Sequence, residues 1–270
     1  MPGAAPDASG PCVATIGHFA RGGPTKDIVR RRGSRALTAG LYEAKTIVAE
    51  YPFLALPIAR RRGHGEVLDE GTEIVIEGYP RAASSFAVAA FRSAQGRPVR
   101  IAHHVHAPAQ LIAAARRGTP ALALLREPEG ALISHLIRSP QIPIRSAARG
   151  YARFYEPLLG VRGKIVTATF DGVVGDFGAV IRRVNERFGT TFVEFDHTEE
   201  NVSRLFEEID ADYRTRMDTG AGFERAVPRP SELRSSLKEE IRARYRSREL
   251  SAVRGRLERL YARLVPATTG

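Results

Sequence analysis

The stretch 73–86, Glu-Ile-Val-Ile-Glu-Gly-Tyr-Pro-Arg-Ala-Ala-Ser-Ser-Phe, limits the fold more than any other. Ile74, Val75 and Ile76 form a β-branched run that reads as a strand. Gly78 and Pro80 break it with turn residues. From Ser84 onward, Phe86, Ala87, Val88, Ala90 and Phe91 make an apolar helical start. A strand that passes through a tight turn straight into a helix opens a βαβ unit, and that unit belongs to a parallel sheet.

The rest of the chain repeats the alternation. Strands are predicted at 99–102, 120–125 and 164–170. Helices are predicted at 107–117 and 128–138, each with proline in its first turn, at 146–159, and at 177–188 with Gly189 closing it. The expected fold is α/β, a parallel right-handed sheet with helices on both faces. Ligands in such folds sit at the C-terminal ends of the strands. Residues 1–24 read as a flexible tail rich in Gly, Pro and Ala, and 25–270 as a single domain with its core at 73–190. A further helix is expected at 198–210, irregular chain at 211–230, and one long charged helix from Ser231 to about Val265.

Composition narrows the partners. Net charge is +11, mostly from arginine spread along the chain. That balance favours anionic partners. Basic residues are not clustered with aromatics, so no nucleic-acid partner is expected. Cys12 is the single cysteine, which rules out an intrachain disulfide and a cysteine metal site. No secretory leader and no apolar run of spanning length is seen, and a cytoplasmic protein is expected. Residues 51–58, Tyr-Pro-Phe-Leu-Ala-Leu-Pro-Ile, lie beside Arg60, Arg61 and Arg62. Two readings stand for them: a short helix on the core, or a peripheral contact with a membrane surface.

Three constellations carry chemistry. The turn 78–86 sets a cation, Arg81, and two hydroxyls, Ser84 and Ser85, at a helix N-terminus. Backbone N–H groups there suit a phosphate, although an ordinary βα turn with a serine N-cap has the same composition. It is no Walker A loop. The second is His103-His104-Val105-His106, between a strand and a helix. Its imidazoles fit a general base, or polar closure of a strand, better than a metal site, because no further ligand sits at the usual spacing. The third is Arg126-Glu127-Pro128 with Ser134 two helical turns on, a guanidinium and a hydroxyl for one phosphate.

Together, in this order and spacing, the three resemble one family: the sulfotransferases that use 3′-phosphoadenosine 5′-phosphosulfate (PAPS). Gly78 to Phe86 is similar to the family's Tyr-Pro-Lys-Ser-Gly-Thr-Thr-Trp loop. Val105-His106-Ala107-Pro108 resembles its Thr-His-Leu-Pro segment. Arg126-Glu127-Pro128 with Ser134 resembles its 3′-phosphate motif, and Thr169-Phe170-Asp171 its Tyr-Glu-Asp segment. The likeness covers about 73–190.

The resemblance implies a P-loop-like three-layer sandwich with extra C-terminal helices. It also implies PAPS as sulfuryl donor, no metal, and a small-molecule or glycan acceptor that no motif identifies. Residues Arg81, Ala82, Ala83, Ser84, Ser85 and Phe86 would form the 5′-phosphosulfate loop, with Phe86 stacked on adenine. His106 would be the catalytic base and Arg81 the cation that stabilises the leaving phosphate. Arg126 and Ser134 would hold the 3′-phosphate, and Phe170 would lie near adenine. The chain also departs from the pattern. Arginine replaces lysine at 81, Ala83 replaces a glycine, and His104 stands where a second lysine is usual. The late Arg-Lys-Gly lid is missing, with Arg229 as its candidate substitute. The alternatives are a non-catalytic nucleotide- or phosphate-binding protein on the same fold, and a P-loop-type kinase, which lacks its Lys-Ser/Thr pair here.

Overall fold

The computed structural model describes residues 24–63, 65–216 and 232–266. The chain divides into two compact units, residues 1–34 and 35–270. The candidate site lies wholly in the second. The expected tail, Arg229 and most of the irregular stretch 211–230 fall outside the described residues.

Four parallel strands form the sheet: β1 (Ile74–Gly78), β2 (Ile101–His103), β3 (Ala121–Leu125) and β4 (Val166–Thr169), in the order β2-β1-β3-β4. Val75 pairs with Ala102 on one side and Ala121 on the other, and Leu124 pairs with Ala168. The chain winds from β1 out to β2, then crosses β1 to continue at β3. Strand order therefore reverses between β1 and β3, and the loops after them face each other there.

Period-two alternation gives each face its own core. Ile74, Ile76, Leu122, Leu124 and Ala168 point to one side. They meet α3 (Ser84–Ala94), α8 (Phe177–Phe188) and α9 (Glu199–Arg216). Val75, Ala121, Ala123 and Leu125 point to the other side. There lie α2 (Pro52–Arg62), α4 (Pro108–Arg117), α5 (Pro128–Arg138), α6 (Ile144–Tyr155) and α11 (Ser251–Leu264). The architecture is thus α/β, with helices on both faces of an all-parallel sheet. The remaining helices are α1 (Pro24–Val48), α7 (Phe170–Gly175) and α10 (Glu232–Tyr245).

Several elements differ from the sequence expectation: α9 runs past Asp210 to Arg216, into the stretch expected to be irregular, β4 ends at Thr169 so that Phe170 opens α7, and two helices are divided differently. The long C-terminal helix is two, α10 and α11, parted at Ser247 by extended backbone. The apolar spacing explains the break. Ile241 and Tyr245 continue one stripe, but 246–249 reads Arg-Ser-Arg-Glu, and the next stripe starts afresh at Leu250. The helix expected over 146–159 ends at Tyr155 and continues as a 3₁₀ segment, Glu156–Lys164. Pro157 in its first turn cannot donate the next α-helical hydrogen bond. Tyr151, Phe154 and Tyr155 are core residues, and two have a specific task. Tyr151 Oη donates to the Arg126 carbonyl at 2.7 Å and Tyr155 Oη to the Leu124 carbonyl at 2.8 Å, so α6 fixes the exit of β3.

Candidate functional site

The loop after β1 folds back tightly on the sheet. A Cβ at Gly78 would meet the Leu124 carbonyl at 2.9 Å and the Ala82 Cβ at 3.1 Å, so only glycine fits there. Arg81 and Ala83 both take left-handed backbone, with φ of 76° and 68°. Alanine at 83 thus adopts the left-handed conformation that a glycine takes at least cost. Ala83 is also the N-cap of α3 and offers no side-chain oxygen. The amides of the helix's first turn thus keep their need for an acceptor. Ser84 opens that turn, and the residue is only 5% exposed. Its Oγ has no hydrogen-bond partner. A buried hydroxyl without a partner is costly and uncommon.

The Arg126 segment meets this loop directly. Arg126 Nη1 donates to the Arg81 carbonyl at 2.9 Å, and Arg81 Nε donates to Ser134 Oγ at 3.0 Å. The Arg126 guanidinium lies 4.1 Å over the Phe170 ring, a cation–π contact. Its buried Nε has no hydrogen-bond acceptor. Arg81, Arg126, Ser134 and Phe170 are therefore one cluster at the β1/β3 reversal.

The histidine segment closes the other side. His106 Nδ1 is 2.9 Å from the Gly78 carbonyl. A carbonyl can only accept, so Nδ1 carries the proton and Nε2 is the acceptor nitrogen of the neutral ring. The ring is about one quarter exposed. His104 Nε2 lies 3.3 Å from Ser85 Oγ, and the His104 and His106 ring centroids are 5.7 Å apart. His104 and His106 also have left-handed backbone, with φ of 58° and 53°.

Glu77 explains how that segment is held, and the sequence reading gave it no role. Its side chain is fully buried on β1. It accepts from the Val105 amide at 2.7 Å, the His106 amide at 3.2 Å and Gln110 Nε2 at 3.0 Å. Burial pushes its carboxyl up to about 8, against the pull of these donors. The signal was available, since an acid within a β-branched strand buried on both faces must have a partner.

Phe86 takes part differently. It is 4% exposed and its ring packs against Phe177, Phe195, His197 and Phe206. It belongs to the core beneath α3. Ala82 is fully buried under the loop. Among the described residues, no group of three His, Cys, Asp or Glu side chains is arranged to hold a metal ion.

Comparison with known proteins adds little to this geometry. No family model matches the chain, and no curated protein matches it. A solved structure similar to it is mouse sulfotransferase SULT7A1 in complex with PAP, at 11% identity and a TM-score of 0.37. The match covers 72% of this chain and 90% of that one. So distant a likeness identifies neither family nor activity.

Proposed function

We propose that the chain is a sulfotransferase that moves a sulfuryl group from PAPS to a hydroxyl or amine acceptor. One observation carries this reading. An anion cradle with an unsatisfied buried hydroxyl, Ser84 Oγ, shares the Gly78 turn with an imidazole whose proton is committed to Nδ1. Ser84 Oγ has no hydrogen-bond partner, Arg126 Nε has only a 3.9 Å ion pair with Glu127, and α3 starts without a side-chain cap, so a phosphorylated ligand could supply the missing acceptors and donors.

When bound, the donor supplies SO₃ on a phosphate leaving group. The chain's own residues position the partners and offset charge, as in phosphoryl transfer. Arg81 and the first-turn amides of α3 face the negative charge that grows on the leaving phosphate. Arg81 is permanently cationic, so it stabilises that charge without serving as a proton donor. His106 receives the acceptor's proton on Nε2, a contribution of roughly 10²–10⁴ in rate. Arg126 and Ser134 are assigned to the 3′-phosphate. Phe170 is assigned to adenine, with one face already under Arg126, whereas Phe86 sits in the core and supports α3 from beneath. Arg229 is assigned to the lid.

The acceptor is a small molecule or glycan, and the protein is assigned to the cytoplasm. Among the described residues no helix is long and apolar enough to cross a membrane. A peripheral membrane contact is assigned to α2. Phe53 is 72% exposed there, and Tyr51, Leu54 and Ile58 are also exposed, next to the arginines at 60–62.

The deciding experiment pairs two variants with calorimetric titration of adenosine 3′,5′-bisphosphate. His106→Ala should abolish transfer and leave bisphosphate binding nearly intact. Arg126→Ala should weaken that binding by roughly 10- to 100-fold, the worth of a charge-assisted contact. Stabilisation by ATP–Mg²⁺ and not by the bisphosphate would replace this reading with a kinase.

A further inference from the structure

The histidine segment contains a second hydrogen-bonded chain, and its direction is fixed from one end. Arginine only donates. Arg92 Nη2, on α3, is 2.8 Å from His103 Nε2, so that nitrogen accepts. A neutral His103 then carries its proton on Nδ1. His103 Nδ1 is 2.7 Å from His104 Nδ1, and the donor there is His103. The His104 proton must sit on Nε2, 3.3 Å from Ser85 Oγ, which accepts it. A cationic His104 would need His103 to accept at both nitrogens, leaving an imidazolate. Burial and the neighbouring His104 and Arg92 hold His103 neutral, pushed down to about 3.

We propose that Arg92 is a positioning residue for the anion loop. Through His103 and His104 it directs a hydrogen bond onto Ser85 Oγ, so that the single Ser85 hydrogen is kept for an oxyanion in the 81–85 turn. This rests on the reading of that turn as an anion site. It does not rest on the nucleotide or on transfer chemistry. Arg92 itself is exposed and reaches the loop only through the two rings.

Imidazole ¹⁵N NMR of the full chain reads the relay directly. His103 should show a protonated Nδ1 and His104 a protonated Nε2. A His104 protonated on Nδ1, or on both nitrogens, overturns the proposal. Three variants separate direction from charge. Arg92→Leu should scramble the His104 tautomer and weaken inorganic sulfate and bisphosphate binding by roughly 3- to 10-fold, one neutral hydrogen bond. Its melting temperature without ligand should hold. Arg92→Lys and the uncharged donor Arg92→Gln should both restore tautomer and affinity. Equal losses for Leu and Gln would mean that only the charge mattered, and would overturn the proposal. Should wild type bind sulfate but no bisphosphate, with the tautomers as assigned, the nucleotide reading fails and the relay stands.

Discussion

Replacing Glu77 by glutamine tests the scaffold of the site without touching its reactive groups. The wild-type carboxyl is fully buried and its ionisation moves from an ordinary 4.5 to about 8. A group whose folded value is raised binds its proton more tightly when folded. Its stabilising contribution is complete below pH 4.5 and is lost as pH rises toward 8. At about 1.4 kcal/mol per pH unit, the full window is worth at most roughly 5 kcal/mol. Between pH 5 and 7.5 the wild type should therefore lose roughly 2–3 kcal/mol that the glutamine variant does not. All other titrating groups are common to both proteins, so the difference in slope isolates Glu77. The variant also has a cost that does not depend on pH. Its amide oxygen can replace Oε1 toward Val105 and Gln110, but its amide nitrogen then faces the His106 N–H. One orphaned buried donor costs roughly 1–3 kcal/mol. Urea unfolding at pH 5 and 7.5 measures both terms. Parallel pH slopes for the two proteins would refute the assignment of Glu77 as a buried acid that ionises near neutrality.

Two further outcomes are expected. Ala83→Gly removes a left-handed alanine, which costs roughly 1–2 kcal/mol, but adds glycine's unfolded-state entropy of roughly 0.5–1 kcal/mol. The net gain should lie between roughly 0 and 1.5 kcal/mol, at most roughly 3–6 °C in Tm by calorimetry, and a loss would count against φ of 68° there. Phe53→Ser combined with Leu54→Ser should lower co-sedimentation with phosphatidylserine-containing vesicles severalfold without lowering Tm, and unchanged binding would remove α2 as the contact.

Much of the fold was legible because local chemistry and tertiary burial agree. The β-branched run before Gly78 and the apolar run before Arg126 are strands, and Pro108, Pro128 and Gly189 mark helix ends close to where they fall. The meeting of Arg81, Ser134 and Arg126 followed from parallel topology, which gathers strand ends. What stayed illegible depends on partners distant in sequence. Glu77 is held by Val105, His106 and Gln110, which lie 28 to 33 residues further on. Arg92 received no role, because its partner lies on the next strand. Nothing in its neighbours announces a histidine eleven residues later. Phe86 fitted two roles by type, a stacking ring or a core ring, and only packing assigns it to the core.

Backbone strain picks out the same place independently. The described non-glycine residues with left-handed backbone are Arg81, Ala83, His104 and His106, and all lie in the loops after β1 and β2. Each costs roughly 1–2 kcal/mol against relaxed chain, and such a cost persists only where the surroundings over-determine it. Those surroundings can be named. Arg126 holds the Arg81 carbonyl, Glu77 holds the Val105 and His106 amides, and the Gly78 carbonyl holds the His106 ring. The αL geometry at His106 places its amide on Glu77 and its ring on Gly78 at once. A relaxed backbone at that residue would turn one of them away. The strain and the buried acid are thus two halves of one device, and it keeps the imidazole on the Gly78 turn.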